Sequence, residues 1–126
     1  MRVLFDTSIL VDSLRGHKRA SKLMEVVANR EVEGIISVIT EAELYAGKDC
    51  NTELGLNAVK DLISIFEKII LDNEIAVKAG EYRRMHGVEI PDAIIAATAA
   101  KERAKVYTKN VEDFGKIEEI DVEEPY

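Results

Sequence analysis

The sequence predicts an α/β fold of three layers, with a small, mostly parallel sheet between two layers of helices. Three observations carry that prediction. Short apolar runs such as Val3-Leu4-Phe5 and Gly34-Ile35-Ile36-Ser37-Val38 alternate with longer segments whose apolar residues recur at helical spacing. The apolar runs are too short and too apolar to be exposed, which suits parallel strands covered on both faces. At 126 residues and 14.1 kDa the chain is expected to form one domain with one core, long enough to bury about two-thirds of its unfolded surface.

Taken in order, Val3-Leu4-Phe5 is the first strand and Asp6 ends it. Thr7 and Ser8 are good helix caps, and Ile9, Leu10 and Leu14 continue at helical spacing. Gly16-His17 breaks that helix. Ala20, Leu23, Met24, Val26 and Val27 then mark one face of a helix to about Arg30. Gly34 to Val38 reads as the second strand, and Thr40 to Lys48 as a helix ended near Gly47. A polar loop through Cys50 and Asn51 leads to a helix over Thr52–Phe66, and Lys68-Ile69-Ile70-Leu71 is the third strand. Asp72 caps a helix that Gly87 ends as a left-handed C-cap. Pro91 fits the first position of the next helix and Asp92 its first turn, and the alanine-rich run to Ala100 suggests close packing on the sheet. Val106-Tyr107-Thr108 is the fourth strand, Lys109 to Phe114 a turn or short helix, and Ile117 to Val122 a last edge strand.

Composition narrows the function. The net charge of −7, from 24 acidic and 17 basic residues, argues against a protein that holds nucleic acid by bulk electrostatics. Any nucleic-acid partner needs bound cations or a local basic rim. The single Cys50 allows no internal disulfide, and no Cys/His cluster has zinc spacing. With no segment of membrane-spanning length and no signal-peptide pattern, a cytoplasmic location is expected.

In a parallel sheet the carboxyl ends of the strands share one rim, where such folds bind ligands. Asp6 follows the first strand, Glu41 and Glu43 the second, Asp92 opens a late helix, and Asn110 and Asp113 follow the fourth strand. Several carboxylates are therefore expected to converge on one edge. Oxygen ligands without His or Cys suit Mg²⁺ or Mn²⁺, a combination fitted to phosphodiester hydrolysis. Each acid also has a local explanation. Asp6 can cap a helix, Thr40 and Glu43 have the spacing of a capping box, Asp92 meets a helix dipole, and Asp113 is a turn former. Jointly those explanations are weaker, because the acids would crowd one another at a desolvation and repulsion cost.

The residues that carry this pattern resemble a known family. Leu4-Phe5-Asp6-Thr7-Ser8-Ile9-Leu10, Ser37-Val38-Ile39-Thr40-Glu41-Ala42-Glu43-Leu44 with Gly47, Pro91-Asp92 and the alanine run after it, and Thr108-Lys109-Asn110-Val111-Glu112-Asp113-Phe114 are together similar to PIN-domain proteins of the VapC-like toxin type. The resemblance implies metal-binding, catalytic acids at Asp6, Glu43, Asp92 and Asp113. It implies a hydroxyl role for Thr7 or Ser8, and for Thr108 beside the site. Asn110 falls where some members have another acid, so the fourth ligand lies between Asn110 and Asp113. A metal-dependent endoribonuclease is implied, with RNA as substrate, a homodimer, and a cognate antitoxin that blocks the site.

Other classes stay open at the level of residues: a PIN nuclease of RNA processing, a phosphotransfer domain with Asp6 as acceptor, or a binding module whose acidic pocket captures an arginine. Ser8 stands where phosphatases of the second kind usually carry another acid. Two basic clusters, Arg15-Gly16-His17-Lys18-Arg19 and Arg83-Arg84-Met85-His86, could grip RNA phosphates, although solvated helix ends are the commoner reading. Tyr45, Tyr82 and Tyr107 fit the core or a dimer interface better than base stacking.

Overall fold

The computed structural model describes residues 1–126. Strands β1 (Arg2–Phe5), β2 (Glu33–Ser37), β3 (Glu67–Ile69), β4 (Lys105–Tyr107) and β5 (Val122–Glu123) form one sheet in the order β3-β2-β1-β4-β5, and every pairing is parallel. The helices are α1 (Thr7–Leu14), α2 (Lys18–Ala28), α3 (Val38–Tyr45), α4 (Glu53–Ile63), α5 (Asn73–His86), α6 (Ile90–Glu102) and α7 (Val111–Phe114), with a 3-10 turn at Lys48–Asn51.

Strand β1 is the centre of the sheet, and alternation along it builds a core on each face. Leu4 points into a cluster of 16 buried residues with Ile35, Val106 and the inner faces of α5 and α6. Val3 and Phe5 point the other way, into 11 buried residues that include Ile9, Leu10, Met24 and Val59. That division is the three-layer arrangement predicted from the sequence. Every residue of α6 from Ala93 to Ala99 is buried, because small side chains let the helix lie close to both the sheet and α5. Gly34 serves the opposite layer: a Cβ there would stand 2.7 Å from Val27 Cγ1 and 3.0 Å from Phe66 Cδ1. Gly87, at φ 72°, ends α5 in the left-handed conformation expected of it.

Several boundaries differ from the sequence reading by a few residues, and four of the differences have a clear physical reason. Helix α3 starts at Val38, because Ser37 Oγ accepts from Ile39 N at 3.1 Å and turns the chain into a helix at the end of the strand. Strand β3 stops at Ile69, which is paired with Ser37; Ile70 and Leu71 have no remaining partner strand and are exposed. Ile117 is buried as a plug beneath the turns that precede β5, so the last strand is only Val122–Glu123. Pro91 occupies the second position of α6, since Ile90 opens that helix.

Candidate active site

Asp6 leaves the central strand at its carboxyl end and is 6% exposed. Its Oδ1 accepts from Thr7 N at 2.9 Å, and its Oδ2 from Ser8 Oγ at 3.0 Å and Thr108 Oγ1 at 2.7 Å. Asp6 is therefore also the cap of α1, one of the local roles open to it in the sequence, where Thr7 and Ser8 are the other cap candidates. Burial pushes its carboxyl above the ordinary value, and the three donors only partly offset that.

Glu43 lies one strand away, on the exposed face of α3. The capping box does not form. Thr7 Oγ1 donates to Glu43 Oε1 at 2.7 Å and sits 3.0 Å from the Oγ1 of Thr40, which is fully buried. Glu43 is thus held by the residue next to Asp6 instead of by its own helix end. Thr40 is a part of the site that sequence reasoning missed, because its spacing to Glu43 suggested local capping.

Asp92, in the first turn of α6, is half-buried, and its pKa is pushed up to about 6. Burial is the main cause, followed by the charges of Asp6, Asp113, Glu43 and Glu89. Carboxylates from four separate segments thus act on one group. Across the site, the Asn110 amide donates to Asp113 Oδ2 at 3.0 Å and lies 3.4 Å from Asp92 Oδ2. The Asn110 bond, and then Lys116 at 3.2 Å, hold the Asp113 carboxyl below the usual range. Thr108 Oγ1 accepts from Asn110 N at 2.9 Å, so the loop that carries Asn110 is tied to Asp6.

No three of these carboxylates stand close enough together to hold an ion between them. Mg²⁺ does not require that, since it binds through one or two carboxylates and keeps several waters. An all-oxygen donor set with uncompensated negative charge fits such a hard cation and lacks the nitrogen and sulfur that favour zinc. The largest surface depression, about 730 Å³, lies elsewhere, beside α5 and α6. Its lysines are paired, Lys78 with Glu81 and Glu119 and Lys101 with Asp72 and Glu74, and it holds none of the acids of the rim.

The central strand of the parallel sheet thus ends in a buried aspartate, with three further acids along the same rim. The PIN domain family model matches residues 3–120, and the chain belongs to that family. Its relatives include Ribonuclease VapC19 of Mycobacterium tuberculosis, 34% identical over 128 residues that cover 98% of each protein. Ribonuclease VapC2 of Methanocaldococcus jannaschii is 27% identical over 137 residues, covering 96% of this chain and 92% of the relative. Among solved structures, a toxin–antitoxin complex from Klebsiella pneumoniae contains a chain with a TM-score of 0.81 and 31% identity, with 98% of both chains covered. VapBC2 from Rickettsia felis, bound to a DNA fragment from its promoter, gives 0.83 at 23% identity over 98% of both chains, a likeness of fold alone.

Proposed function

We propose that this protein is a metal-dependent endoribonuclease that hydrolyses RNA phosphodiester bonds as the toxin of a toxin–antitoxin pair. The observation that carries the reading is the field at Asp92, where burial and three neighbouring acids of the rim hold a carboxyl up to about 6. A site that stores like charge at the end of a sheet is suited to a divalent cation. Mg²⁺ or Mn²⁺ would be held by Asp6 and Asp92, with Glu43 and Asp113 completing the charge. When bound, the ion supplies an activated water and stabilises charge on the phosphodiester.

The chain's own residues position the acids. Ser8 and Thr108 donate to one oxygen of Asp6 and fix its carboxylate plane. Thr7 turns Glu43 toward Asp6, and Asn110 holds Asp113 while lying alongside Asp92. Hydroxyl and amide donors of this kind favour the ionised carboxylates that a hard cation requires. The names of the relatives and of the solved complexes support RNA as substrate and a cognate antitoxin as partner. A homodimer is part of the same proposal.

The negative field of the rim would also attract a guanidinium, which keeps a second reading in view, a non-catalytic pocket that captures an arginine. RNA cleavage by the purified protein separates the two. Cleavage is expected with Mg²⁺ or Mn²⁺, none with EDTA, and a loss of a hundredfold or more in Asp6→Asn, since a metal-bridging charge stabilises the transition state by several kcal/mol. Undiminished cleavage by Asp6→Asn would overturn the assignment.

A further inference from the structure

Next to the acid rim, and outside it, lies a groove of about 340 Å³ between α2 and the segment Pro125-Tyr126. Leu23, Val26, Pro125 and Tyr126 give it an apolar lining, and Arg19 and Lys22 stand with them. Both cations are exposed, as are Arg15 and Lys18 nearby, and none of the four forms an ion pair. Their grouping is what marks them: cations such as Lys78, Lys101 and Lys105 each meet two carboxylates, whereas here four unpaired ones fall within residues 15–22. Helix α2 has no acidic residue in its first turn, so Lys18 and Arg19 also oppose its dipole. Folding electrostatics therefore does not explain the cluster.

The groove is built into the catalytic rim by a chain of contacts. Tyr126 stacks on His17 at 4.6 Å, and its hydroxyl donates to Asp12 Oδ2 at 2.6 Å. Lys109 Nζ lies 4.4 Å from the centre of the same ring and donates to the Tyr126 carbonyl at 2.9 Å. The Lys109 backbone N–H donates to Ser8 Oγ, which in turn donates to Asp6. One wall of the groove, Tyr126, is thus connected to the buried acid through two residues, Lys109 and Ser8.

We infer that this groove is a subsite for single-stranded RNA, in which a base lies on the apolar lining while Arg15, Lys18, Arg19 and Lys22 hold flanking phosphates. The inference rests on the nuclease reading and deepens it by naming where the strand runs beside the acids. A base face on apolar and aromatic groups, with free cations along the backbone, is how single strands are bound without sequence preference. Unpaired Arg and Lys pay no cost of breaking an existing ion pair when they meet phosphate. The patch also supplies the local positive rim that an acidic protein needs to hold RNA at all.

The test uses the full chain carrying Asp6→Asn, so that RNA stays intact, and a fluorescent single-stranded oligoribonucleotide in Mg²⁺. Adding Arg19→Gln and Lys22→Gln is expected to weaken binding about tenfold and to reduce the log–log salt slope by about 1.4, the value for two phosphate contacts on a single strand. Arg84→Gln, which also removes an unpaired cation, is the control and should change neither. In the otherwise wild-type enzyme the groove pair should raise KM and leave kcat unchanged. Equal affinity and slope in the groove pair and the control would overturn the subsite, as would weakened binding of a protein partner with RNA binding intact. Failure of the nuclease reading is seen separately, as absence of cleavage by the wild type, while the binding arm still reports on the groove.

Discussion

At the scale of single residues, the site works through hydroxyls and an amide that place carboxylates. Thr7 is the clearest case, because its one hydroxyl joins Glu43 to the end of β1. Thr7→Val keeps the shape and removes the donor, and is expected to lower divalent-metal affinity about 10- to 100-fold, the usual cost of losing a hydrogen bond to a ligand. Calorimetric Mn²⁺ titration checks it; unchanged affinity would show that Glu43 needs no such support. Asp113 and Asn110 form a second case. Asp113→Asn is expected to weaken metal binding or rate more than Asn110→Ala, because a charged oxygen holds a hard cation better than an amide. The reverse ranking would move the fourth ligand to Asn110. The sequence pattern places Asp6, Glu41, Glu43, Asp92, Asn110 and Asp113 along one rim, and only the family resemblance selects Asp6, Glu43, Asp92 and Asp113 among them. Thr40 could not be placed, because a capping box and a contact across two elements share one spacing.

At the scale of elements, positions are legible where local chemistry and tertiary packing agree. The N-terminal strand, the Gly87 C-cap and the buried alanine helix all follow from residues that serve both. The edge strands do not. Whether Ile70 and Leu71 extend β3 depends on where β2 ends, and that is set by Ser37 rather than by the apolar run itself. Ser37 is therefore informative to change. Ser37→Ala removes the cap of α3 at a cost of about 1 kcal/mol, roughly 4 °C in melting temperature for a domain of this size. Cleavage should fall as well, because α3 carries Glu43. Gly34 tests the packing on that layer. Gly34→Ala pushes a methyl group against Val27 and Phe66 and should destabilise by about 1–3 kcal/mol in chemical denaturation. A neutral result would mean that α2 and the Phe66 turn yield without loss.

At the scale of the whole molecule, the fold concentrates negative charge at one end of the sheet, and its stability should report that. Asp92 holds its proton up to about pH 6 in the folded state, against an ordinary 3.8. Between those values the folded protein binds more protons than the unfolded chain, so this group's contribution falls as pH rises and is least favourable above 6. Asp92→Asn removes the penalty. In the metal-free protein the variant should melt higher near neutral pH, and the advantage should shrink as pH falls through about 6 and the wild type takes up its proton. Because Asp92 is only half-buried, solvent screening limits the relief to on the order of 1 kcal/mol, about 4 °C.

The most direct measurement of the clustered-acid site compares thermal melts of wild type and Asp92→Asn near neutral pH, in EDTA and in Mn²⁺. The expected result is a variant that melts above wild type in EDTA, the reverse of what most substitutions do. Mn²⁺ at a hundredfold excess over its dissociation constant should then stabilise the wild type by about 2.7 kcal/mol and the variant much less. A variant that melts lower in EDTA, with a wild type indifferent to Mn²⁺, would contradict the account and reduce Asp92 to a helix-end carboxylate.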